Sequence, residues 1–184
     1  SLYQEKLVPI PEGCTVTLKD KVFTFEGRLG TQSYDVSKVL FTFDVADGQI
    51  RVRSWHGDRK KNALLGTISS HIRNHAHGVV HGFKYVMRAA YRHFSINMAV
   101  IDNGKTVTVK NFLGAKDTQV FPVRGASKAV PGDHKDILII QGINLEDVAQ
   151  TAAHISNACA KRKRNDVRIF LDGIFVAEKT SIEE

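Results

Sequence analysis

The chain has 184 residues but only two cysteines, four prolines and no low-complexity tract. Two cysteines are too few for a small secreted scaffold held by disulfides. Cys14 and Cys159 form no C-x-x-C pair, and H-E-x-x-H, G-x-S-x-G and phosphate-loop patterns are absent, which removes the specific signatures of zinc, serine-nucleophile and nucleotide chemistry. No apolar run approaches the roughly 20 residues that cross a bilayer, and Ser1-Leu-Tyr-Gln-Glu-Lys6 lacks the apolar stretch of a secretory signal. These absences predict a cytoplasmic protein with no membrane partner and no disulfide between Cys14 and Cys159. With 42% apolar residues, the chain is expected to fold throughout.

The most informative feature present is an internal repeat. Shifted by about 84 residues, Lys21-Val-Phe-Thr-Phe-Glu-Gly-Arg-Leu-Gly30 lies over Lys105-Thr-Val-Thr-Val-Lys-Asn-Phe-Leu-Gly114, and Phe23 and Phe25 fall on Val107 and Val109. Side chains alternate faces along a strand, so a slip of one residue would destroy this parity. Farther on, Ser69-Ser-His-Ile-Arg-Asn74 lies over Ala152-Ala-His-Ile-Ser-Asn157. A period this long indicates tandem domains rather than a solenoid. The expected domains are 1–81 and 82–184, each large enough for its own small core.

Within the first copy, Thr15 to Lys19, Lys21 to Glu26, Leu40 to Val45 and Gln49 to Arg53 read as strands, with Asp47-Gly48 as a hairpin signal. Asp58 then caps a helix whose apolar stripe is Leu65, Ser69, Ile72, Ala76 and Val79. In the second copy, Ile96 to Ile101, Lys105 to Lys110, Asp117 to Val123 and Asp136 to Ile140 read as strands, with Asn103-Gly104 as a turn. Asn144 and Asp147 open a helix with the stripe Val148, Ala152, Ile155 and Cys159. Strands joined by hairpins and followed by one helix predict an α+β fold of two similar domains, each a mainly antiparallel sheet packed on one helix.

Charge is distributed unevenly. Residues 51–92 hold nine Lys/Arg against one Asp/Glu, whereas residues 1–50 hold five against seven and residues 93–184 twelve against eleven. That asymmetry points to a polyanionic partner, nucleic acid before membrane. Arg59, Lys60 and Lys61 occupy a helix start, the end of the dipole that repels cations. A bound phosphate would reverse the sign, and a tolerated solvated surface is the alternative. Lys161-Arg-Lys-Arg164 sits at a helix C-terminus, where positive charge is favourable in any case; RNA contact and a solvated cap both fit. In Gly82-Phe-Lys-Tyr-Val-Met-Arg-Ala-Ala-Tyr-Arg-His-Phe-Ser-Ile-Asn97, strand alternation puts Lys84 and Arg88 on one face. Phe83 and Tyr85 take the other, where the core would hold them.

Gly82 to Asn97, Asn111-Phe-Leu-Gly-Ala-Lys116 and Arg168-Ile-Phe-Leu-Asp-Gly-Ile-Phe-Val-Ala-Glu-Lys179 resemble the signature segments of the large-subunit ribosomal protein family called L-six in bacteria and L-nine in eukaryotic cytosolic ribosomes. The resemblance runs from Val8 to Lys179. Ser95 replaces the family's usual Pro, Ala115 its Glu, Ile169 its Lys, and Phe121 to Arg124 a more basic stretch. The resemblance implies a structural, non-enzymatic component of the large subunit without a cofactor or small-molecule substrate. Its partners would be large-subunit rRNA near the factor-binding side and sarcin-ricin loop, and neighbouring large-subunit proteins, with assembly beginning in the nucleolus. The residues it ties to that surface are Lys116, Asp172, Gly173, Ile174, Phe175, Glu178 and Lys179, and Arg168 at the start of the same segment is a further expected rRNA contact. At Asp172-Gly173 a glycine would let the backbone approach a phosphate or ribose, or simply make a tight turn.

Two other readings compete. His81-Gly-Phe-Lys-Tyr-Val-Met-Arg88 partly echoes the core of an RNA-recognition motif, which would require Phe83 and Tyr85 to be open to bases. His71 and His75 have the i, i+4 spacing of a helical metal pair, although His71 and His154 coincide in the repeat, which favours a shared structural role.

Overall fold

The computed structural model describes residues 2–161 and 171–182. It divides into two compact units, Ser1–His81 and Gly82–Glu184. In the first, strands β1 (Tyr3–Pro9), β2 (Thr15–Lys19), β3 (Val22–Gly27), β4 (Gly30–Asp35), β5 (Thr42–Ala46) and β6 (Gln49–Trp55) precede helix α1 (Arg59–Val80). In the second, β7 (Phe83–Ala90), β8 (Asn97–Ile101), β9 (Thr106–Lys110), β10 (Gln119–Pro122), β11 (Lys128–Pro131) and β12 (Ile137–Gly142) precede α2 (Leu145–Lys161), and β13 (Gly173–Thr180) follows.

The fold is α+β, and every strand pair is antiparallel. Each unit distributes its strands over two sheets. These are β1-β6-β5 and β2-β3-β4 in the first unit, and β11-β12-β7-β13 and β10-β9-β8 in the second. The repeat is seen in the registers. Phe23 and Phe25 of β3 are fully buried and so are Val107 and Val109 of β9. Gln32 lies opposite Phe25 as Gln119 lies opposite Val109, and Tyr34 lies opposite Phe23 as Phe121 lies opposite Val107.

Both helices bury the stripes that their spacing predicts. Leu65, Ser69, Ile72, Ala76 and Val79 are buried on α1, and Val148, Ala152, Ile155 and Cys159 on α2. At roughly 1.5–3 kcal/mol for each large apolar side chain removed from water, these stripes fix each helix on its own unit's sheets. Asp58 has extended backbone and accepts a hydrogen bond from Lys61 N at 2.9 Å. On α2 the cap is Asn144, whose Oδ1 accepts from Glu146 N at 3.0 Å, while Asp147 pairs with Arg124 at 3.3 Å.

The turns differ in one instructive place. Asp47 (φ 52°) and Gly48 (φ 71°) are both left-handed, as a two-residue hairpin with strand-matched twist demands. Asp20 (φ 51°) and Lys21 (φ 60°) make the same kind of turn between β2 and β3. Lys21 is therefore a turn residue and not the first residue of a strand; no glycine marks the bend.

Candidate nucleic-acid interface

Arg59, Lys60 and Lys61 form the exposed first turn of α1, which contains no acidic residue. At a solvated surface each such cation costs about 0.3–1 kcal/mol against the helix dipole, offset in part by the Asp58 carboxylate at the same end. Three of the other cations of unit 1 have internal partners. Arg51 pairs with Glu5 at 3.7 Å, Arg53 with Asp44, and Arg28 Nε donates to Val80 O at 2.9 Å, closing the C-terminal end of α1.

In unit 2, β7 sets Lys84 and Arg88 on one face, four residues apart in sequence. They line a shallow depression of about 320 Å³ with Val86, Ile137, Ile139 and Glu178. Phe83 and Tyr85 point the other way and are half-buried against the core of that unit. Base stacking on them, which an RNA-recognition-motif reading requires, is thereby disfavoured. Lys179 is exposed on β13 with its Nζ 5.4 Å over the Tyr85 ring, a cation–π contact that fixes its stem while leaving the ammonium accessible. Gly173 begins β13 and is buried; the place a Cβ would take lies 2.9 Å from the Phe175 ring. Its lack of a side chain thus accommodates Phe175, itself 47% exposed. Lys161 is exposed at the end of α2. Arg162, Lys163, Arg164 and Arg168 lie outside the described residues.

Lys116 is exposed just beyond the 3-10 turn Phe112–Gly114. Here the backbone departs from ordinary geometry. Asn111 (φ 62°) and Leu113 (φ 52°) are both left-handed, followed by Gly114 (φ 77°). For non-glycine residues this costs about 1–3 kcal/mol each, and such strain persists only where the surroundings impose it. Asn111 Nδ2 donates to Ser95 O at 3.0 Å, tying this segment to the loop after β7. Neither the strain nor the tie is visible in the sequence, where Asn111 to Lys116 stands out only as a family motif.

His71, His75 and His154 serve packing. His75 Nδ1 meets Gln32 Oε1, and its ring lies 5.7 Å from Phe25 and 4.9 Å from Tyr34. His71 Nδ1 is 3.3 Å from Tyr34 OH. Its repeat equivalent His154 packs edge-on against Phe121, the equivalent of Tyr34, at 5.4 Å. Each repeat thus sets its histidine against the matching aromatic of the β2-β3-β4 or β10-β9-β8 sheet. Among the described residues, no three His, Cys, Asp or Glu side chains converge on a metal position. Cys14 and Cys159 are both reduced thiols, with no disulfide joining them, and burial raises the Cys14 pKa.

Similarity to known proteins spans the whole fold. The Ribosomal protein L6 family matches residues 10–82. Large ribosomal subunit protein uL6A of Schizosaccharomyces pombe is 38% identical over 184 residues, covering 100% of this chain and 96% of that protein. The chain belongs to the uL6 family. Large ribosomal subunit protein uL6B of Saccharomyces cerevisiae is 39% identical across 98% of this chain and 96% of its own length. The archaeal uL6 of Staphylothermus marinus is 38% identical across 95% and 93%. The uL6 relatives therefore span both units, including the β7 segment and β13, and not only the part the family match covers.

Proposed function

We propose that the chain is a structural constituent of the large ribosomal subunit in the cytoplasm, holding rRNA near the factor-binding side and the sarcin-ricin loop and touching neighbouring large-subunit proteins. It is not an enzyme, and its assembly into the subunit begins in the nucleolus. The observation that carries this reading is similarity along the full chain to proteins named for the large subunit. Supporting it, several cations outside the ion pairs of Arg51, Arg53 and Arg124 cluster along the chain. Arg59 to Lys61 are exposed at the start of α1; Lys84 and Arg88 share one face of β7, while Lys179 on β13, Lys116 and Lys161 are exposed, Lys161 opening the basic run to Arg164 in the sequence. Such cations would contact phosphates, and Arg168 and Gly173 of the C-terminal motif would contribute to rRNA binding as well.

The test has two stages. Native protein should sediment with large subunits and stay bound in moderate salt. Neutralising Lys161 to Arg164 with glutamines should then weaken binding to an rRNA fragment and flatten its salt dependence. For each phosphate that goes unpaired, the slope of log affinity against log salt should fall by about 0.7–0.9. Unchanged affinity and slope would reduce that cluster to a helix cap.

A further inference from the structure

Two loops of the second unit come together at a surface that the reading above touches only through Lys116. The loop after β7 supplies Arg92, His93 and Phe94, all exposed; β9 ends on exposed Lys110 and the segment after it adds exposed Lys116, with Asp117 the single carboxylate in either loop. Between them the Phe94 ring lies over Gly114, 3.2 Å from where a Cβ would sit, yet stays 48% exposed. Gly114 has φ +77°, so a side chain there would be both strained and in the way of the ring. Phe112 is buried in the core, and Asn111 Nδ2 holds Ser95 O at 3.0 Å. A large ring is therefore held against an anchored shelf and half open to water, in two stretches of chain that carry Arg92, Lys110 and Lys116.

We propose that Phe94 is a stacking platform for one unpaired RNA base, with Arg92, Lys110 and Lys116 taking the flanking phosphates. This rests on the rRNA reading above and adds a binding mode to it. A protein-docking patch would need apolar neighbours, whereas the residues flanking Phe94 are Arg92, His93 and Ser95. An aromatic face bordered by cations is the chemistry that holds single-stranded nucleotides, because every base offers a π-face and every linkage a phosphate. Bases paired within an A-form helix present no free face to such a ring. The ligand is therefore a bulged, looped or terminal nucleotide.

The full chain is titrated with deproteinised large-subunit rRNA, and base reactivity is read by chemical probing. Phe94→Ala should weaken binding roughly tenfold and restore the reactivity of one unpaired nucleotide, with the salt slope unchanged because every phosphate keeps its cation. Phe94→Trp should retain both affinity and protection. Gly114→Ala, which lifts the ring from its shelf while keeping every cation, should release the same nucleotide. Lys116→Gln should instead lower the salt slope by about 0.7–0.9 and leave that nucleotide protected. Wild-type affinity and an unaltered protection pattern in Phe94→Ala overturn the stacking platform and leave the rRNA reading standing. Loss of a neighbouring protein from reconstituted subunits, with rRNA protection intact, overturns it in favour of a protein contact. Failure of the wild-type chain to bind rRNA overturns both.

Discussion

The two units differ least where they are buried and most where they end. Leu65, Ile72 and Ala76 on α1 match Val148, Ile155 and Cys159 on α2, all buried, and even the half-covered pair of histidine and sheet aromatic recurs. At the helix starts the pattern inverts. Arg59, Lys60 and Lys61 open α1, whereas Glu146 and Asp147 open α2. The sheets diverge as well. β7 is paired on both sides, by β12 and β13, while its equivalent β1 is paired, among the described residues, with β6 alone. A core tolerates exchange among apolar residues of suitable volume, so the shared interior reports descent from one unit. The divergent ends and edges are where each unit's separate contacts can be made.

The strongest way to break that comparison is to damage the matched core positions in turn. Ile72 and Ile155 are both fully buried, so Ile72→Ala and Ile155→Ala should each cost about 2–5 kcal/mol, cavity included. Denaturant unfolding of the full chain, followed by probes in each unit, should show losses of similar size, each in its own unit. A large cost at one position and none at the other would show that the repeat is a likeness of sequence without equivalence of packing.

The parity of Phe23, Phe25, Val107 and Val109 was legible because burial on one face of a strand leaves a two-residue period, and the stripes of α1 and α2 because a helix leaves one of three and four. Division of each unit into two sheets was not legible. It depends on pairings between distant segments, such as Tyr3 with Trp55 and Phe83 with Gly142, which no local period records. β1 and β4 went unread because Gln4, Glu5 and Lys6, or Thr31, Gln32 and Ser33, weaken the apolar alternation, with Gln32 buried only because it meets His75. For the interface, clusters of cations could be seen in the chain. That Arg51 and Arg53 are spent on Glu5 and Asp44 while Arg59 to Lys61 remain free follows only from strand register and helix position.

The inverted helix starts offer a smaller and sharper test. Replacing Arg59, Lys60 and Lys61 with glutamine removes repulsion from the α1 dipole and should stabilise the isolated protein by a few tenths of a kcal/mol per charge at low salt. Replacing Glu146 and Asp147 should destabilise it by about 0.3–1 kcal/mol each, more at Asp147 because Arg124 loses its partner. Thermal melts at low and high salt read both effects, and screening should shrink them together. If the triple glutamine variant proves less stable, the three cations hold the fold and are not available in the way a phosphate contact requires.

The smallest expected effect separates the two helices by pH. Burial, and secondarily the charge of His81, lower the His77 pKa below the ordinary 6.5; the two rings lie 4.9 Å apart. The equivalent position on α2 is Ala160, which cannot titrate. A depressed histidine pKa means that the folded state binds fewer protons than the unfolded state between the folded pKa and 6.5. Stability then rises with pH across that window and is lost as the solution is acidified through it. Proton NMR of the His77 ring should give a midpoint below 6.5, and His77→Gln should flatten the dependence of stability on pH between 6.5 and that midpoint. A wild-type slope retained in His77→Gln would show that His77 does not carry the acid sensitivity.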